Sequence, residues 1–204
     1  MRILPFGDSV VLGEGASGGF RAPLEELLLA SKIDFEFVGS RSENSYEMKN
    51  PHHEGWARAT LPYLREDRLD EAMDLTPDVI LLYCGAEDLR TLPDAGIAVA
   101  RLDKLAKTIW QKSPKCTILI SQLLQDRGYE AEHKVKKFNT LLGELTENLA
   151  GSGRPIRRIK MHAKVKTESL NENGMPTESA YITMASAWFQ SIEDIHRRSI
   201  EMTV

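Results

Sequence analysis

The sequence predicts an α/β fold with a mainly parallel sheet of about five strands between helical layers. Three observations predict it. Short apolar runs stopped by glycine recur: Ile3, Leu4 and Phe6 before Gly7, and Val79 to Cys84 before Gly85. Runs of that length read as strands buried on both faces. Segments of helical spacing lie between the strands, the pattern of right-handed βαβ crossovers. The chain has 204 residues, 42% of them hydrophobic and 27% charged, enough for one α/β domain with a full core over residues 1–204.

In chain order, the first strand ends at Gly7 and is followed at once by Asp8, Ser9 and a glycine-containing loop. Phe20 to Ala30 carries Leu24, Leu27, Leu28 and Leu29 at helical spacing. Asp34 to Val38 alternates and ends at Gly39, which predicts a second strand. Ser40 to Pro51 is polar and reads as a loop. His53 to Leu61 leads into a helix running to about Leu75. Val79 to Cys84 is the third strand and the most apolar stretch. Leu92-Pro93 opens a helix to about Gln111, Cys116 to Ser121 is the fourth strand, and Gln122 to Glu130 is a loop. A long helix covers Glu132 to Leu149, and a basic strand covers Ile156 to Met161. A polar loop follows over Lys164 to Thr177, then a closing helix over Glu178 to Arg197. The chemistry is expected on loops after the first, second, third and fifth strands, because open α/β sheets place ligands at strand carboxyl ends.

Bulk properties narrow the partners. The formal net charge is -4, with Lys and Arg scattered, which argues against nucleic acid. No apolar run is long enough to span a bilayer, so no membrane role is expected. Met1-Arg2 leads straight into the first strand with no separate apolar leader; the expectation is a cytoplasmic protein. Cys84 and Cys116 are widely spaced and read as free thiols. No His/Cys grouping has zinc-like spacing. Gly13-Glu14-Gly15-Ala16-Ser17-Gly18 is a literal G-x-G-x-x-G. However, the strand already stops at Gly7, and the second strand closes on Val38-Gly39-Ser40 without the expected acidic residue. A loop over the cleft fits better, and no cofactor or metal is implied.

Four blocks carry a family resemblance. They are Gly7-Asp8-Ser9; His53-Glu54-Gly55 with Thr60-Leu61; Pro77 to Leu82 with Gly85 and Asp88-Leu89; and Pro176 with Tyr181, Met184-Ala185 and Trp188. Together they resemble the SGNH hydrolases, also called GDSL esterases and lipases, over nearly the whole chain. The resemblance implies a flavodoxin-like three-layer α/β/α sandwich and a small-molecule substrate. It aligns Ser9 with the nucleophile, Arg58 with an oxyanion glycine, Glu87 with an oxyanion asparagine, Met175 with the catalytic histidine and Glu172 with the triad aspartate. Only the serine is retained.

These departures matter chemically. A serine hydroxyl needs an adjacent base, and methionine cannot accept its proton. Glu87 brings a negative charge where an oxyanion needs donors. In the family fold the two oxyanion positions lie together, so Arg58 and Glu87 are expected to form an ion pair beside Ser9. Ser9 has two readings, a working nucleophile or a hydroxyl capping the next turn. Asp8 is read as holding the loop. Candidate pocket residues are Tyr83 and Cys84 at the third strand end, of which one is expected to face the pocket and the other to pack in the core, with His53, Glu172 and Met175; His52, His53 or Glu172 are candidate substitute bases. Three functions remain open. One is a repurposed non-hydrolytic enzyme for cyclisation, isomerisation or a pericyclic step, acting through Arg58 and Glu87. The second is a carboxylester hydrolase using Ser9. The third is a non-catalytic ligand-binding relative.

Overall fold

The computed structural model describes residues 1–201. Its strands are β1 (Arg2–Gly7), β2 (Glu36–Phe37), β3 (Glu54–Gly55), β4 (Val79–Tyr83), β5 (Thr117–Ser121) and β6 (Ile156–Ile159). Every pairing is parallel, in the order β2-β1-β4-β5-β6, with β3 added to β1. β2 meets the start of β1 (Arg2↔Glu36), and β3 meets its end (Phe6↔Glu54, Gly7↔Gly55). β4 occupies the other edge of β1. Ile3, Leu4 and Phe6 of β1 and Ile80 to Leu82 of β4 are fully buried, so both sheet faces are covered, as a parallel sheet requires.

The helices are α1 (Ser9–Leu12), α2 (Arg21–Ala30), α3 (Leu61–Tyr63), α4 (Leu69–Asp74), α5 (Ala86–Thr91), α6 (Ala95–Lys112), α7 (Tyr129–Gly151), α8 (Met161–Lys164) and α9 (Glu178–Glu201). A π turn over Leu64–Arg68 joins α3 to α4, so the expected helix to Leu75 exists with a widened turn inside it. α2 packs on α9 and α6 on α7. Trp188 of α9 is fully buried against Phe20, with ring centroids 5.8 Å apart. Among the described residues no helix is long and apolar enough to cross a membrane.

The sequence reading missed α1, β3, α5 and α8. Each has only two to six residues, too few to express a period. The short α5 matters most, because it carries Glu87 and Asp88 immediately after β4.

Candidate active site

The site begins where β1 ends. Gly7 sits at φ +152°, and a Cβ there would lie 1.8 Å from the Tyr83 carbonyl oxygen. Glycine lets β1 and β4 close together at this point, and Asp8 N–H donates to that same carbonyl at 3.1 Å. Asp8 then caps α1, its Oδ1 accepting from Val10 N–H at 3.0 Å. Ser9 is the first residue of α1. Gly55 of β3 packs so closely on α1 that a Cβ would lie 2.3 Å from Leu12 N. The chain beyond β3 is thereby pressed against the serine, and Arg58 N–H donates to Ser9 Oγ at 3.0 Å. Arg58 adopts φ +54°, a left-handed conformation that costs a non-glycine residue free energy. The arginine thus keeps a backbone shape suited to glycine.

A cleft of about 1280 Å³ opens over this point. Its lining includes Asp8, Ser9, Glu14, Gly15, Arg58, Tyr83 and Glu87. Leu123 to Ala131 with Lys134 and Val135, and Asn171 to Met175, also line it. Two ties hold these later segments in place. Arg127 donates to the Leu170 carbonyl. Asn171 Oδ1 accepts from Asn173 N–H at 2.9 Å and Met175 N–H at 3.0 Å.

Of the residues singled out in the sequence, Asp8, Ser9, Arg58, Tyr83, Glu87, Glu172 and Met175 all line this cleft. Three expectations are corrected. The Arg58–Glu87 ion pair is not formed: Glu87 pairs with Arg90 one helical turn away, at 3.8 Å, and Arg58 takes part in no ion pair among the described residues. The left-handed turn leaves Arg58 exposed, while α5 gives Glu87 a neighbour on its own helix. Cys84 does not line the cleft. It is buried at the end of β4, which alternates side chains between faces, and burial pushes its thiol well above the usual range. Tyr83 takes the cleft side, its hydroxyl accepting from Leu124 N–H at 3.2 Å.

His53 is the third correction. It is fully buried away from the cleft. Its Nδ1 accepts from Gly55 N–H at 3.0 Å and its Nε2 faces the Glu43 carbonyl at 2.9 Å. Those partners require a neutral ring protonated at Nε2. Burial first, then the charges of Arg21 and Arg41, hold its pKa down to about 3. The unfolded ring titrates near 6.5, so its contribution to stability is complete above that pH. It is lost as pH falls from 6.5 towards 3, at about 1.4 kcal/mol per unit. Asp8 has the opposite sign over nearly the same window, because burial raises its pKa to about 7. The informative measurement is therefore the difference between wild type and His53→Gln. That stability gap is expected to narrow steadily as pH falls from 6.5 to 3, and a gap independent of pH would contradict the buried neutral ring.

No histidine lines the cleft among the described residues. His52 is exposed. His162 lies 3.0 Å from Glu132 Oε1, outside the cleft. The G-x-G-x-x-G stretch forms a tight loop: Gly13 ends α1 in a left-handed conformation, and Asn44 Nδ2 donates to the carbonyls of Leu12, Gly13 and Ala16.

The sequence reading missed the wall after β5, including Arg127, Tyr129 and Lys134. The rule that ligands gather at strand carboxyl ends covers this loop too; the loop itself carries no motif. Asp88 was seen only as part of a block. Fully buried, it accepts from Leu61 N–H and Arg101, each at 2.8 Å, and so fixes the start of α3.

No protein-family model and no curated protein matches the sequence. Solved structures do match the fold. A Clostridium thermocellum family 3 carbohydrate esterase superposes with TM-score 0.86 at 24% identity, covering 97% of this chain and 98% of that one. A carbohydrate esterase family 3 protein from Talaromyces cellulolyticus gives 0.85 at 14%, covering 97% and 99%. The lipase/acylhydrolase from Enterococcus faecalis gives 0.67 at 15%, covering 95% of each chain. The parallel order β2-β1-β4-β5-β6, the capped Gly-Asp-Ser turn at the end of β1 and the full-length superpositions establish that this chain has the SGNH hydrolase fold.

Proposed function

We propose that the cleft binds a small organic molecule and that Ser9 does not hydrolyse it. One observation carries this reading: among the described residues no histidine lines the cleft to take the serine's proton. Without a base the hydroxyl stays a weak nucleophile. Glu87, beside the position where an oxyanion would form, adds a repulsive charge in place of a donor. With Glu87 paired to Arg90, cyclisation or isomerisation through an Arg58–Glu87 pair loses its basis. Holding a ligand in a reactive conformation stays within the reach of such a cleft, as does binding alone.

A second reading is carboxylester hydrolysis through Ser9. It is favoured by Arg58 retaining a backbone N–H aimed at Ser9 Oγ, and by the esterases and lipases of the same fold. The discriminating experiment is nitrophenol release from nitrophenyl acetate by wild type and Ser9→Ala. Both are expected to remain at the uncatalysed rate. Turnover by wild type that disappears in Ser9→Ala would overturn the non-hydrolytic reading.

A further inference from the structure

Ser9 and Tyr83 both place a buried hydroxyl in the lining of the cleft; they are 5% and 3% exposed. A hydroxyl carries one proton and two acceptor positions. In both residues a backbone N–H takes an acceptor position. Arg58 N–H donates to Ser9 Oγ at 3.0 Å, and Leu124 N–H donates to Tyr83 Oη at 3.2 Å. Neither hydroxyl proton has an acceptor among the described residues. A buried donor left in that state is costly. The sheet brings the two residues to the same end: Gly7 pairs with Tyr83 across β1 and β4, Asp8 N–H donates to the Tyr83 carbonyl, and Ser9 follows.

We propose that the Tyr83 hydroxyl donates its hydrogen bond to an uncharged carbonyl oxygen of the ligand, that of a ketone or an amide. This rests on reading the cleft as a small-molecule site. The N–H of Leu124 holds the phenol oxygen and leaves its proton turned away from that residue. Burial, and then the charge of Asp8, push the Tyr83 pKa well above the ordinary phenol range, so the group is a donor at neutral pH. What the position lacks is an acceptor, and charge decides which kind. Six Asp and Glu residues line the cleft against four Arg and Lys residues, and three of those four are engaged. Arg90 pairs with Glu87, Arg127 donates to the Leu170 carbonyl, and Lys134 Nζ donates to the carbonyls of Leu89 and Leu92. A carboxylate or phosphate would meet net repulsion in that lining. A carbonyl oxygen accepts the proton without bringing a charge.

Disulfide exchange at Ser9→Cys tests this. The thiol is equilibrated with excess 2-mercaptoethanol and the disulfides of three small thiols of matched size. They are 1-mercaptopropan-2-one, its alkene counterpart 2-methylprop-2-ene-1-thiol, and mercaptoacetate. Mass spectrometry reads the share of each adduct. Ser42→Cys, exposed and outside the cleft, supplies the reference. Wild type supplies the background, since Cys84 and Cys116 are buried. The ketone-to-alkene ratio at position 9 is expected to exceed that at position 42 by about fivefold. Adding Tyr83→Phe is expected to abolish the excess, and mercaptoacetate is expected to be disfavoured relative to the reference. Equal ratios at the two positions, an excess that survives Tyr83→Phe, or a preference for mercaptoacetate overturns the proposal. If Tyr83→Phe does not fold, the comparison of positions 9 and 42 decides alone; if Ser9→Cys does not, Met175→Cys in the same lining takes its place. Ester turnover by wild type would instead overturn the non-hydrolytic reading and leave this ratio standing.

Discussion

Combining Arg58→Gly, Glu87→Asn and Met175→His is expected to raise nitrophenyl acetate hydrolysis about a thousandfold above wild type. Two of the changes supply something the cleft lacks, and the third relieves strain. A histidine at position 175 stands on the lip formed by Asn171 to Met175, and it can take the proton of Ser9. Glu172 lines the same cleft and can orient the new ring. Asparagine at position 87 replaces a repelling carboxylate with a donor. Glycine at position 58 keeps the backbone N–H that already reaches Ser9 Oγ and removes the strain of an arginine at φ +54°. Adding Ser9→Ala to the triple variant should return the rate to background. The single Met175→His change should gain far less, because nucleophile, base and oxyanion donors act as a unit. If the triple variant stays at the wild-type rate, the cleft is not a hydrolase site lacking only a base and a donor, and it is shaped for other work.

Arg21→Ala is expected to cost about 3–5 kcal/mol in a denaturant titration, a large fraction of the about 5–15 kcal/mol that holds a typical domain folded. Arg21 is fully buried and lies outside the cleft. Its Nε donates to the Val11 carbonyl at 3.2 Å. Its Nη1 donates to Ser45 Oγ at 2.6 Å and the Pro51 carbonyl at 3.0 Å. Its Nη2 reaches the carbonyls of Leu12 and Asn44, each at 3.2 Å. One guanidinium thus ties α1, which begins with Ser9, to the loop that precedes β3. Removing it strands several buried carbonyls and leaves a cavity. Arg21→Lys should recover only part of the loss, because one ammonium cannot span donors spread across a planar fork. A cost below about 1 kcal/mol would mean that water readily replaces these bonds.

The sequence by itself determined the strands of the sheet other than β3, the helices longer than two turns and the serine's place at the end of β1. Those follow from hydrophobic period and from contacts a few residues apart, such as the Asp8 carboxylate capping Val10 N–H. It also brought Tyr83 to the cleft, at the end of a legible strand, while the family resemblance pointed to Arg58 and Glu87. The tertiary structure decided where side chains point once the chain leaves regular structure. His53 turned inward because Glu43 and Gly55, from separate segments, meet its two ring nitrogens. Arg58 missed Glu87 because a left-handed turn directs it to solvent while Arg90 lies within reach on the same helix. The lining after β5 is tied to the lining before α9 by Arg127, which donates to the Leu170 carbonyl 43 residues along the chain. Local pattern fixes periodicity, whereas the aim of a loop side chain depends on partners that only the folded chain brings near.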